Sequence, residues 1–370
     1  MSLQIQEGKS TSRLLSLDAL RGFDMFWIIG GGSVIKELIR LWPENDYSKI
    51  LLTQFTHAKW EGFLAWDLIM PLFLFMVGAA MPFSFSKRLT IESGRKKLYL
   101  HILKRVLILF ILGLIAQGHL LDYNLSTFRF HCNTLMTIGA GYLVASIIIL
   151  NMNLTWQIIT TAALLLLYWG LMTLVPVPTH GAGVLTKDAN LAVYIDKFIL
   201  GRFEDVNHTL FLSTITFGCT VMLGALGGQL LRSEKKQKTK VLYLLGAGIG
   251  CLILSLVWNM LFPIIKNLWT SSFVLLTAGL SYLLLALFYL IIDVYGFKKW
   301  AFGFVVIGMN AIAVYMATIL FDFRKIGNIF VGGLEERLGT LNGFVQQAAA
   351  FAVVWLILFW MYRKKSFIKI

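Results

Sequence analysis

Stretches of eighteen or more apolar residues return again and again along this chain, and no other feature restricts its folding so severely. Residues 241–262 and 273–292 are apolar on every helical face. A helix needs about twenty such residues to cross a hydrocarbon core of roughly 30 Å. The strands of a membrane barrel would alternate in segments of about ten, and these runs do not alternate. The expected fold is therefore all-α, a polytopic transmembrane helical bundle. Of the 370 residues, 58% are hydrophobic and only 14% charged, which excludes a soluble domain of this length.

Ten spans are expected, at 17–38, 64–86, 99–118, 134–151, 155–175, 209–231, 241–262, 269–292, 301–322 and 344–362. The basic segments are 87–105, "RSEKKQKTK" at 232–240 and "RKKSFIK" at 363–369, and they fall on one side of such a bundle. Loops 41–61, 119–133, 176–207 and 323–343 mix acids with bases. The positive-inside rule then puts both termini in the cytoplasm and His57 at the outer face. The net charge of +14 reports this topology rather than a nucleic-acid partner.

Residues 1–16 are polar and lack the apolar core and cleavage site of a removable leader, so the first span is expected to stay. One transmembrane domain over 1–370 is expected. Within it, 176–208 is an outer loop over the bundle mouth, with a short helical pattern at 190–200. Cys132, Cys219 and Cys251 have neither ligand spacing nor an even count, so no metal and no disulfide framework is expected. The glycines at 30–32, and Gly224 with Gly228, read as close helix packing.

Four constellations could carry chemistry. In "FTHAKWEGFLAWDLIMPLFLFMVG", residues 55–78, His57 precedes a span interrupted by one carboxylate, Asp67. A charge at that depth costs on the order of 3 kcal/mol and calls for a partner or a wet cavity. Imidazole can take a proton from an amine or hydroxyl nucleophile, or carry an acyl group, and a carboxylate would fix its tautomer. Ten residues of helix would hold the two about 15 Å apart, so they meet only if the chain bends, with Gly62 the available hinge. Trp60 and Trp66 suit either a membrane-interface belt or the apolar face of a sugar ring.

Asp18, Arg21 and Asp24 recur every third residue and approach one helical face, where they could neutralise each other or wall an anionic-cofactor pocket. "FPIIKNLWTSSF", residues 262–273, crowds Lys266, Asn267, Trp269 and Thr270 into one short outer turn. Asn310 in "GMNAIAVYMATIL" is an intramembrane amide, which pairs with another helix or with a ligand.

Together with "NTLMTIGAGYL", "NLAVYIDKFILGRF", "STITFGCTVMLGALGGQLL" and "PIIKNLWTSSFVLLTAGLSYLLLAL", these stretches resemble, in order, the heparan-alpha-glucosaminide N-acetyltransferase catalytic-domain family, in its bacterial relatives. "LDALRG" alone also resembles broader membrane acyltransferases that O-acylate surface sugars. The resemblance implies acetyl transfer from cytoplasmic acetyl-CoA, as co-substrate, to the amino group of a terminal glucosamine on the other side. It places the family's active-site histidine at His57 and its following acid at Asp67, and further polar site positions at Lys266, Trp269 and Asn310.

The expected localisation is a bacterial cytoplasmic (inner) membrane, multi-pass. The expected partners are an amino sugar or glycan end and the lipid bilayer, with no nucleic acid, and the oligomeric state stays open, a homodimer included. Basic residues at the cytoplasmic rim, Arg21, Arg88, Lys104 and Arg105, are candidates for the CoA phosphates. The chain departs from the family at Met136 and Thr137 in the block Leu135 to Gly139, in the turn Asp205 to His208, and at Ile265 in the block Pro263 to Lys266, near the presumed acceptor side. A sugar transporter coupled to protons at Asp67, and an O-acyltransferase, are the competing readings.

Overall fold

The computed structural model describes residues 14–91, 95–118, 130, 132–203 and 209–368. The departure at Asp205 to His208 lies outside the described residues. The fold is all-α. Among the described residues there is no strand, and Glu61 with Ile265 and Val177 with Gly181 form isolated bridges.

In chain order the helices begin with α1 (Leu15–Phe26), α2 (Gly32–Arg40), α3 (Asp46–Thr53), α4 (Ile69–Ile91) and α5 (Arg95–Gln117). There follow α6 (Thr134–Asn151), α7 (Leu154–Leu174), α8 (Leu191–Leu200), α9 (Thr214–Arg232), α10 (Gln237–Asn259) and α11 (Ser271–Tyr289). The last five are α12 (Phe302–Gly308), α13 (Ala311–Leu320), α14 (Phe323–Val331), α15 (Glu335–Leu338) and α16 (Asn342–Arg363).

Among the described residues eight helices are long and apolar enough to cross a membrane, and a ninth span is available if α12 and α13, bent by 64° at their break, count as one. The expected number was ten. The difference lies at 17–38, where α1 and α2 are joined by a π turn, Trp27–Gly31, with Gly30 at φ 128°. Asp18, Arg21, Asp24, Lys36 and Glu37 crowd that region with charge, so it fails the composition expected of a simple span.

By its internal contacts the chain falls into two compact units. The first comprises residues 59–63 and 70–286. Here α6 packs on α5 and α9, while α7 lies against α9 and α8. A Cβ on Gly78, Gly224 or Gly228 would collide with the carbonyl oxygen of Val221, Phe75 or Ala79 respectively. Small residues thus let the backbones of α4 and α9 touch, the role expected of Gly224 and Gly228. Side-chain caps start three helices: Asn133 accepts from Leu135 and Met136, Asn153 from Trp156, and Asn190 from Val193. The last of these opens α8, where the helical pattern was expected. Asp196 on α8 accepts the N–H groups of Leu210 (2.7 Å) and Phe211 (3.1 Å), and burial raises its pKa.

The second unit comprises residues 14–58, 64–69 and 287–368. In it α1 packs on α12 with backbones in contact, because a Cβ on Gly22 or Gly308 would strike the carbonyl oxygen of Phe304 or Asp18. Helix α16 packs against α14, α2 and α12. Phe26 makes edge contacts with Phe304 and Phe351, which ties α1 to α12 and α16.

Candidate functional site

Asn45 caps α3 through a reciprocal box with Ser48, and the helix runs out at Gln54. Gln54 then folds the chain back on itself. Its carbonyl accepts from Trp66 N at 3.0 Å, and its side-chain oxygen accepts from Ala65 N at 3.1 Å. Between these points Gly62 sits at φ +111°, a conformation L side chains rarely adopt, so the glycine serves as the bend expected of it. A short 3-10 turn, Ala65–Leu68, then delivers Asp67 at the mouth of α4.

The bend closes the ten-residue gap. His57 Nδ1 and Asp67 Oδ1 are 2.7 Å apart, while Oδ2 accepts the N–H groups of Leu64 (3.1 Å) and Ala58 (3.2 Å). An ionised carboxylate can only accept, so the proton of a neutral imidazole lies on Nδ1 and Nε2 keeps its lone pair. The Asp67 side chain is wholly buried, whereas that of His57 is 55% exposed. One nitrogen of the imidazole is therefore held by a buried acid while more than half of the side chain stays exposed, which suits a general base or an acyl carrier.

Trp66 stacks at a tilt on Phe55, centroids 5.8 Å apart, and Phe55 in turn lies 6.1 Å from Trp27. The Trp66 ring also covers Gly32, where a Cβ would press into it. It is thereby wedged beside Asp67, with α1 and α2 behind it. Trp60 belongs to the first unit, where its indole donates to Leu185 O at 2.9 Å and its ring packs on the cluster of Tyr168, Leu191 and Phe262.

The turn between α10 and α11, also in the first unit, is built around polar backbone partners. Thr270 Oγ1 accepts from Ile265 N, Trp269 N bonds to Lys266 O, and Asn267 O accepts from Thr209 Oγ1. Trp269 has φ +52° and only 1% of it is exposed; its indole donates to Thr220 Oγ1 at 2.9 Å, and Phe217 and Phe273 meet it edge-on. Lys266 is 8% exposed and Asn267 is half-buried. Residues 61 and 62 pair with this turn through the Glu61–Ile265 bridge and the bond from Gly62 N to Ile264 O.

Asn310 occupies the break between α12 and α13, in the second unit. Its amide donates to Ser366 O at 3.3 Å and accepts from Ile368 N at 3.0 Å, so it grips the chain beyond α16. Of the acid and base repeat on α1, Asp18 and Arg21 approach to 3.8 Å. Asp24 does not join them: it is completely buried, and its carboxylate oxygens find no hydrogen-bond partner among the described residues. Of the rim cations in the first unit, Arg105 lies over the Tyr142 ring at 4.4 Å, Lys104 is exposed and Arg88 half-buried. Among the described residues no three His, Cys, Asp or Glu side chains gather as a metal site.

Sequence reasoning missed Gln54 and Thr220. Neither carries a motif, since each acts through a partner supplied by the fold.

A family described as "Domain of unknown function (DUF5009)" matches residues 13–195, which include the whole His57 to Asp67 turn. Heparan-alpha-glucosaminide N-acetyltransferase of Homo sapiens is 25% identical over 97% of this chain and 60% of its own length. The Mus musculus protein of the same name is 24% identical over 98% of this chain and 61% of its own. The chain thus spans about 60% of the length of these curated relatives.

Proposed function

From its place as a distant relative of the heparan-alpha-glucosaminide N-acetyltransferases, a multi-pass membrane protein with acyltransferase-like kinship, we propose that this chain transfers an acetyl group from acetyl-CoA to the amine of a glucosamine-type sugar. The donor stays on the cytoplasmic side and the acceptor lies outside. A bacterial inner membrane is the setting that fits this reading. The observation that carries it is the pair of His57 and Asp67, 2.7 Å apart, with the acid buried and the imidazole half open.

In this reaction His57 Nε2 removes a proton from the attacking amine as its nitrogen forms a bond to the thioester carbonyl carbon. The C–S bond then breaks, and the imidazolium returns the proton to the departing CoA thiolate. In the covalent variant the imidazole nitrogen takes the acetyl first and the amine attacks it afterwards. In either route Asp67 holds Nδ1 and offsets the positive charge that develops on the ring. Lys266, Asn267, Trp269, Trp60, Trp66 and Asn310 are assigned to the acceptor side. Asp18, Arg21, Arg88, Lys104 and Arg105 are assigned to the donor, the cations to its phosphates.

Purified protein is incubated with acetyl-CoA, and free thiol is followed with glucosamine, with a hydroxyl-only sugar or with no acceptor. Thiol release that requires the amino sugar and vanishes in His57→Ala supports the assignment. Release only with hydroxyl acceptors would make the protein an O-acyltransferase, and no release with any sugar would remove the transferase reading in favour of a permease.

A further inference from the structure

The second unit contains a cavity of about 510 Å³ that the His57 site does not use. Its walls come from the π turn of α1 and α2 (Ile28, Gly30, Ser33), from the end of α13 through the start of α14, and from the middle of α16. The volume lies within the range of small-molecule sites, roughly 300–1,000 Å³.

Its lining is of two kinds, polar and apolar. Its polar lining includes Ser33, Arg324 and Gln347, and no hydrogen bond or ion pair among the described residues engages their side chains. Asp322 also lines the cavity, but its carboxylate is occupied: it caps α14 through Arg324 N and Lys325 N and lies 3.8 Å from the Lys325 ammonium. Arg324 is left as the cation without a counter-charge. Its apolar lining includes Ile28, Ile319, Leu320 and Phe321, of which Leu320 is 56% and Phe321 59% exposed. On α14, Ile329 and Phe330 are also exposed, by 80% and 75%. In a multi-pass membrane protein such a surface meets acyl chains, and interfacial helices pair it with Lys and Arg.

We propose that this cavity binds a phosphate-headed lipid, with the phosphate on Arg324, Gln347 and Ser33 and an acyl chain along Ile319, Leu320 and Phe321. Guanidinium suits phosphate because its fork donates two parallel bonds, and an amide and a hydroxyl supply further donors. A soluble phosphate would meet the same donors but leave the apolar rim unused. The site stands whether or not the acetyltransferase assignment holds.

The full chain is placed in nanodiscs of phosphatidylcholine alone or with phosphatidylglycerol added, then released and examined by native mass spectrometry for retained lipid. Wild type should retain phosphatidylglycerol over phosphatidylcholine. Arg324→Gln, an exposed change that keeps the backbone cap, should weaken that binding about tenfold, as expected for one charge-assisted bond. Ile319→Trp, which crowds the apolar lining, should weaken binding of both lipids while the variant still elutes as a folded species. Glycerol 3-phosphate at millimolar concentration should not displace the lipid. Equal retention by wild type and Arg324→Gln overturns the proposal, as does displacement by glycerol 3-phosphate, which would mark a soluble-phosphate site. A lack of preference for the anionic lipid overturns it too.

Discussion

Asp67→Asn separates the roles of the buried acid most cleanly. Asparagine has nearly the same shape, so the change falls on hydrogen-bond logic and charge rather than volume. Oδ2 accepts two backbone N–H groups, from Leu64 and Ala58, and an amide oxygen placed there keeps both. The amide NH2 must then face His57, where Oδ1 stood 2.7 Å from Nδ1. A donor in that position forces the imidazole proton onto Nε2, the nitrogen that has to accept one. The reverse orientation presents the NH2 to two N–H donors and is worse. Loss of charge adds to the tautomer error: two unit charges about 4 Å apart interact by ~4 kcal/mol at an effective dielectric of 20. Because the His57 side chain is 55% exposed, solvent screening lowers this to about 2–4 kcal/mol. The expected fall in kcat is therefore roughly 30- to 1,000-fold. It is read by thiol release at saturating acetyl-CoA, with thermal melting to confirm the fold. Turnover within about threefold of wild type, alongside an inactive His57→Ala, would refute the reasoning and leave Asp67 as a support for the turn.

His57→Ala should melt as wild type does, because over half of the side chain is already in solvent, yet lose acetyl transfer by on the order of 10³-fold in the same assay. Gly228→Leu drives a side chain into the Ala79 carbonyl and should cost about 3 kcal/mol or more, read as a lowered Tm or loss of monodisperse protein. Trp269→Phe leaves the buried Thr220 hydroxyl without its indole donor and should cost about 1–2 kcal/mol in the same melts. Asn310→Ala frees Ser366 O and Ile368 N, and hydrogen exchange at residues 364–368 should accelerate by about tenfold while that of α16 is unchanged.

Reading the chain from residues alone succeeded where the physics is local. The apolar runs announce membrane helices because a backbone in hydrocarbon has to satisfy its own hydrogen bonds within the segment. The helical pattern at 190–200 was legible in the same way, and α8 occupies it. Gly224 and Gly228 announced a close crossing, and α4 provides it. The count of spans was less legible. Residues 17–38 have the length of a span, but their charges and the turn at Gly30 set them apart from the eight simple ones.

What the amino acids determined alone was the class of fold and the close contact at Gly224 and Gly228, and they put His57, Gly62 and Asp67 forward as candidates. Only the tertiary structure decided that Gln54 folds the 55–64 segment so the imidazole meets the carboxylate, that Asp24 stands apart from Asp18 and Arg21, and that Asn310 grips residues 366 and 368. The reason is range. A bilayer imposes its demands on every twenty-residue window separately, so those demands are written in the window, whereas the partner of a buried polar group is chosen by how distant segments pack.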